Sequence, residues 1–250
     1  MIRLIAPALV ALALFAAPAN ALDVNHMSDA ERAQFRAEVR AYLMENPEVI
    51  LEAVKVLEDR QVVAESQADL ALVAANQAAL FDDGFSFVGG NPDGDITLVE
   101  FLDYRCGYCR KAMPEVAGLL ASDDNIRLII KELPILGEQS VLASRFAVAT
   151  KNLEGPEAYM QMHDALMSFQ GEMTLVSLSR IGEGLGLDTQ AILAEMNSET
   201  TLSEIARTRT LAAQLQVSGT PTFVLQDELL RGFIPGAQMA QIVAEKRRNR

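Results

Sequence analysis

The sequence predicts an α/β fold: a β-α-β unit, then a helical block, then a β-β-α unit, all preceded by a long helical segment. Three observations carry this. Two apolar runs with strand character, residues 96–101 and 125–133, flank a helix-forming stretch at 107–120. Residues 138–216 break into short helical patterns punctuated by caps and glycines. Residues 47–80 contain no glycine and no proline after Pro47.

The elements follow in order. Residues 1–21 have the form of an export signal, with Arg3 as the charged start, an almost wholly apolar stretch at 4–17, and Ala19-Asn20-Ala21 as a small-x-small cleavage site. Cleavage is expected after Ala21, so the mature chain begins at Leu22 outside the cytoplasm, in the periplasm. The alternative, a membrane anchor, needs roughly 20 apolar residues and this run is shorter. No later segment is apolar for long enough to span a bilayer, so no membrane span is expected after cleavage.

Ser28-Asp29-Ala30-Glu31 has the capping-box pattern, which starts a helix expected to run to about Met44. Asn46-Pro47 then supplies an N-cap and a proline at the first helical position. A helix over 47–80 would be on the order of 50 Å long. A helix of that length needs a packing partner. Val49, Val56, Val63 and Leu70 recur every seven residues with Ile50, Leu57, Ala64 and Ala71 beside them, although the complementary seam positions include Arg60, Gln61 and Gln67. Either the helix lies on its own domain or it is a self-association stalk, and the stalk is the expectation for residues 22–82.

Asp82-Asp83-Gly84 and the turn-rich run at 89–95 place a domain boundary at 82–84, with the second domain at 83–250 and its first strand at 85–88. After the β-α-β unit come helices expected at 138–152, 156–169, 174–185, 188–196 and 198–216, with Thr174, Asp188 and Ser198 as caps. A hairpin of 222–225 and 229–233 around Gln226-Asp227-Glu228 follows, and a closing helix begins at Gly236. The basic end, Lys246-Arg247-Arg248-Asn249-Arg250, is expected to be a solvated, frayed terminus. This string fits the thioredoxin-like order with a helical insertion at about 138–216.

The formal charge of −13 becomes −14 once Arg3 leaves with the signal. A surface this acidic argues against nucleic acid or anionic lipid as the main partner.

The chemistry centres on the chain's two cysteines, Cys106-Gly107-Tyr108-Cys109. A bridge across two residues closes a small loop and constrains the unfolded chain little, so the pair suits electron exchange better than stabilisation. At a strand-to-helix turn, Cys106 would meet unpaired backbone N–H groups and the positive end of the helix dipole, which favour thiolate. Cys106 is therefore the expected nucleophile and Cys109, one turn inside the helix, the resolving thiol. Gly107 would keep the approach to Cys106 open, while Arg105 and Arg110 add nearby positive charge. A closed tetrahedral metal site needs about four ligands, and His26 and His163 lie far away in sequence, in expected helices. No structural metal and no cofactor beyond the cysteine pair are expected, although a bare dithiol could still hold Cu(I). Pro114 lies within the expected helix, where it would bend the axis.

Glu100 is the polar exception in its strand. Alternation places it with Leu98 and Leu102, where burial would raise its pKa and suit it to exchange a proton with Cys109. The alternative is an exposed carboxylate at a strand end. Lys131, from the neighbouring strand, is its expected partner. Pro221, in Gly219-Thr220-Pro221-Thr222, is unusual ahead of a central strand.

Residues 99–109 followed by Gly219-Thr220-Pro221-Thr222 strongly resemble the DsbA-like thiol-disulfide oxidoreductases of the bacterial envelope. The resemblance spans about 85–245. It implies that Thr220-Pro221 is cis and packs against the cysteine pair, that Thr220 and the Gly107-Tyr108 pair face an extended substrate, and that Glu100 is the buried proton-relay acid. Tyr108 stands where the family's best-known oxidase has a histidine, and Gly-Tyr matches the periplasmic disulfide isomerases. The N-terminal segment is similar to the suppressor-of-copper-sensitivity C (ScsC) proteins, whose trimeric members place a helical stalk ahead of this domain.

The resemblance implies a disulfide isomerase or reductase acting on cysteine-containing envelope clients, kept reduced by a membrane thiol reductase and assembled as a homo-oligomer, with a trimer favoured. The alternatives are a dithiol oxidase, a copper-binding or copper-tolerance protein using the dithiol, and a non-catalytic assembly module.

Overall fold

The computed structural model describes residues 26–249. The expected export signal and its cleavage site lie outside them. Contacts divide the chain into two compact units, the first ending at Arg60 and the second beginning at Gln61.

In the first unit, α1 (Asp29–Glu45) opens on the expected capping box. The Ser28 hydroxyl accepts the Glu31 N–H, and the Ser28 N–H donates to Glu31 Oε2 at 2.8 Å. The helix ends at Asn46, whose backbone and side-chain N–H groups both donate to Tyr42 O. Pro47 follows, and α2 (Glu48–Ala75) begins. No residue of α1 is buried. Phe35, Val39, Tyr42, Met44, Ile50, Leu51, Val54 and Leu57 are all exposed, leaving much apolar surface on these helices uncovered. His26 precedes α1 instead of lying in a helix.

The expected single helix over 47–80 breaks at Asn76. Its side-chain amide donates to Leu72 O at 2.8 Å, competing with the helix ladder, and a short α3 (Gln77–Phe81) follows. The boundary expected at 82–84 also differs from the packing. Val73 and Leu80, 1% and 0% exposed, belong to the core of the second unit, and Asp69 pairs with Arg231 at 2.5 Å. The end of α2 and all of α3 are part of that unit because their apolar side chains cover one side of its sheet.

The sheet has five strands in the order β1-β3-β2-β4-β5: β1 (Phe87–Gly90), β2 (Ile96–Leu102), β3 (Ile126–Glu132), β4 (Thr222–Leu225) and β5 (Glu228–Arg231). Only β2 and β3 pair in parallel, joined by α4 (Gly107–Ser122) as the crossover. β1 starts later than expected because the N–H groups of Phe85 and Ser86 turn in to Asp83 Oδ1.

The insertion follows the expected caps. α5 (Glu138–Ser168) is two helices joined at Gly155, whose φ of 88° only glycine adopts readily, with Pro156 opening the second. Thr174, Asp188 and Ser198 cap α6 (Leu175–Gly184), α7 (Thr189–Glu195) and α8 (Glu199–Gln214). The β4–β5 turn is only Gln226-Asp227, so Glu228 joins β5. α9 (Gly236–Arg248) closes the chain. Its end is not frayed, contrary to expectation. Arg247 binds Asp95 and Asp123, and Lys246 binds Asp227 at 2.7 Å, because the hairpin and the strand starts present carboxylates there.

The sheet has two different faces. One packs Leu98, Leu102, Ile130, Phe223 and Leu225 against α4, α5 and α9. The other packs Val99, Phe101, Ile129 and Val224 against Val73, Leu80 and α8. Alternation along β2 and β3 therefore decides which polar residue meets the cysteines.

Candidate active site

Cys106 is the N-cap of α4, with extended backbone at φ −77°, ψ 116°. Its N–H donates to Asp103 O at 3.0 Å, closing the strand-to-helix turn. The thiol does not bond the helix N–H groups; it donates to Thr220 O at 3.1 Å. The Thr220-Pro221 bond is cis, so residues separated by more than a hundred positions meet at this sulfur. Cys109 is fully buried, and burial, reinforced by Cys106, pushes its thiol well above the usual range despite an opposing contribution from the Asp103 backbone. Both cysteines are free thiols. No atom outside the turn lies within 4 Å of where a Gly107 side chain would begin, and Tyr108 is 63% exposed, so this side of the turn is open. Pro114 sits inside α4 without ending it.

Two guanidinium groups are tied to the turn. Arg110 donates twice to Tyr104 O, at 3.2 and 2.9 Å, and Arg105 donates to Gly171 O at 3.2 Å. Burial and the neighbouring Arg105 lower the Arg110 pKa, and Cys106 acts against them. Asp103 is the turn's organiser. Its carboxylate accepts from Arg105 N (2.8 Å), Ile135 N (2.8 Å) and Leu136 N (3.0 Å). Ile135 and Leu136 are thereby held as exposed apolar residues on a loop bonded to the turn.

Glu100 is buried at 4% exposure on the cysteine face, and burial followed by the charge of Glu132 raises its carboxyl to about 8. Its expected partner is overturned. The register sets Glu100 beside Ile130 and Lys131 beside Phe101, so Lys131 points to the opposite face. There its ammonium binds Asp83 and Ala79 O, at 2.5 and 2.8 Å.

The residue that does share the face is Glu132, a position without a sequence-based expectation. Its carboxylate accepts three hydroxyls at 2.7 Å each, from Tyr104 and Tyr159 on Oε1 and Ser144 on Oε2. Burial raises its pKa to about 7, with the three hydroxyls opposing. His163 Nδ1 lies 3.3 Å from the Tyr104 hydroxyl. That hydroxyl gives its proton to Glu132, so the ring nitrogen is assigned as donor. Burial depresses His163 to about 4, leaving it neutral at neutral pH. Glu132 carries the same sequence signal as Glu100, a carboxylate at an inward position of an apolar strand. Ser144, Tyr159 and His163 lie on a helix whose sequence gives no sign that they converge.

Residues 97–246 match the family profile described as the DSBA-like thioredoxin domain. The chain belongs to this family. Residues 31–62 match a second profile, described as the copper resistance protein ScsC N-terminal domain. A thioredoxin-like oxidoreductase from Silicibacter pomeroyi is 42% identical, with a TM-score of 0.65, over 69% of this chain and 98% of its own. A Proteus mirabilis ScsC variant carrying a linker deletion is 27% identical with a TM-score of 0.66, over 92% of this chain and 100% of its own. Among curated relatives, a Na(+)/H(+) antiporter NhaA from Salinispora tropica is 32% identical over 136 residues, 54% of this chain and 21% of the antiporter. The chain thus spans only about a fifth of that relative. No helix among the described residues is long and apolar enough to cross a membrane.

The chain is thus a DSBA-like thioredoxin-domain protein whose N-terminal helices match the ScsC profile.

Proposed function

We propose that the protein is a periplasmic disulfide isomerase or reductase of misoxidised envelope proteins. The observation that carries this is the meeting of an N-capping Cys106, open on its Gly107-Tyr108 side, with the Thr220 carbonyl beside Pro221. Cys106 as thiolate attacks a client disulfide. The client sulfur that leaves takes the electron pair, and a mixed disulfide forms. Either a second client thiol or Cys109 then resolves it, with Glu100 taking the Cys109 proton. Thr220, Gly107 and Tyr108 contact the extended client, whose backbone would pair beside Pro221. A membrane thiol reductase returns the pair to the dithiol, and no cofactor beyond the pair is required.

Isomerisation requires several sites facing one client, so we assign residues 22–60 to homo-oligomerisation, with a trimer favoured. The uncovered apolar residues of α1 and the start of α2 support this. The direction toward isomerase rather than oxidase rests on Gly107-Tyr108 and on that assembly. The description of the N-terminal profile favours a second reading, copper tolerance through Cu(I) held by the two soft thiolates.

The test is reactivation of scrambled ribonuclease by the chain from Leu22 and by a form starting at Gln61, with solution masses for both. Isomerisation by the long form that is lost in a monomeric short form is the expected result. Equal isomerisation by a monomeric short form would remove the assembly from the mechanism. Cys106→Ser should abolish turnover, and unchanged turnover ends the proposal. Cu(I) titration of the reduced chain against a double-serine variant separates metal ligation from exchange.

A further inference from the structure

The exchange mechanism uses Glu100 and leaves a second buried carboxyl unexplained. Glu132 enters the same face from β3, two positions along from Ile130, the register partner of Glu100. Among the described residues, every hydrogen bond to its carboxylate comes from a hydroxyl, and no ammonium or guanidinium lies among those partners. A carboxylate that accepts three O–H donors is held as an anion more readily than one without them. Burial raises the Glu100 carboxyl, the Glu132 charge raises it further, and no hydrogen bond opposes them.

We infer that Glu132 is a positioning residue for exchange: its hydroxyl-caged negative charge sets the proton affinity of Glu100, and so the pH at which Glu100 can take the proton of Cys109. This rests on the thiol-disulfide exchange reading above. Glu100 carboxylate accepts the Cys109 thiol proton while the Cys109 sulfur bonds to Cys106 Sγ. The Cys106–client S–S bond breaks, and the client sulfur leaves as thiolate with the electron pair. In reverse, protonated Glu100 returns the proton to Cys109. Two like charges close together in a low-dielectric core cannot both form at their ordinary pKa values. Ionised Glu132 therefore keeps Glu100 protonated to higher pH and makes it a stronger base once it ionises.

The groups facing Glu132 are few. From β2 comes Glu100, and from the turn after it Asp103, which also raises Glu132, and Tyr104. From α5 come Ser144, Tyr159 and His163, the last through Tyr104. A narrow cavity beside Glu132 is also lined by Phe87, Ile130 and the ion pair of Lys151 on α5 with Glu204 on α8, 3.0 Å apart.

The test follows glutathione release from a preformed Cys106–glutathione mixed disulfide in the full mature chain, from pH 5 to 9. The wild-type release rate should show a break belonging to Glu100, absent in Glu100→Gln. In Glu132→Gln, which keeps an acceptor and removes the charge, that break should move down by about one pH unit. In the Glu100→Gln background, Glu132→Gln should change nothing further in the profile. Ser144→Ala, a smaller change that removes one donor from Glu132, should move the break the same way by less, and it decides the matter if Glu132→Gln does not fold. A break left at the wild-type pH in the folded variants overturns the inference, as does a break that persists in Glu100→Gln. Failure of the wild-type chain to exchange disulfides at all would sink the proposed function instead, which separates the two.

Discussion

The two faces of the central sheet each bury charge, and they handle it in opposite ways. On the second face Lys131, 1% exposed, is neutralised by Asp83, whose side chain is 6% exposed, with Ala79 O as a further acceptor. That pair ties β3 to the segment between α3 and β1. On the first face, among the described residues, no cation is a hydrogen-bond partner of Glu100 or Glu132, and both carboxyls keep raised pKa values. A paired charge is locked in one state, and an unpaired carboxyl with a raised pKa can change state near neutral pH. The first arrangement anchors a segment; the second suits proton transfer, and it lies on the face that holds Cys109.

The largest expected effect breaks the anchored face. Asp83→Ala leaves the Lys131 ammonium buried without its counter-charge and should cost about 3–5 kcal/mol of unfolding free energy. Urea unfolding measures it. Asp83→Leu combined with Lys131→Met should recover most of the loss, and no recovery would mean that the pair does more than neutralise itself.

Opposite pH dependence is the next test. Glu100 binds its proton more tightly folded than unfolded, so its contribution is greatest below the unfolded value of 4.5 and declines as pH rises toward about 8. Asp83 is the reverse: hydrogen bonds from Lys131 and Ser86 outweigh its burial and lower its pKa, so its contribution exists above 3.8 and is lost in acid. His163, depressed from 6.5 to about 4, also loses its contribution as pH falls through that window. Glu100→Gln should therefore gain stability over wild type between pH 5 and pH 8, by on the order of 3 kcal/mol. Parallel unfolding curves for the two proteins at both pH values would show that Glu100 does not titrate in the core.

Tyr159→Phe removes one of the three hydroxyls on Glu132. It should cost about 1–2 kcal/mol, and more at pH 8 than at pH 5, because the bond is strongest to the ionised carboxylate. An equal loss at both pH values would mean that Glu132 does not ionise between them.

The smallest change falls at the site's open edge. Gly107→Ala meets no neighbouring atom at the first position of α4 and should stabilise the chain by about 0.5 kcal/mol through helix propensity and reduced unfolded-state entropy. A destabilised variant would show that the turn needs glycine for its backbone.

Local chemistry in the sequence determined a great deal. Ser28, Thr174, Asp188 and Ser198 cap helices where the pattern placed them, because a cap bond spans only three residues. The turn holding Cys106, the interior place of Cys109 and the burial of Glu100 followed from spacing and strand alternation alone. What the sequence could not decide was which elements face each other. Lys131 and Glu132 are adjacent in β3 and serve opposite faces, and only the β2–β3 register says which one meets Glu100. Asn76 breaks a helix whose pattern looked continuous, and the 73–80 segment belongs to the sheet's core because Val73 and Leu80 find apolar partners from strands far along the chain. The hydroxyls around Glu132 come from the turn after β2 and from two turns of α5. Burial, register and convergence depend on partners distant in sequence, so tertiary packing alone fixed them.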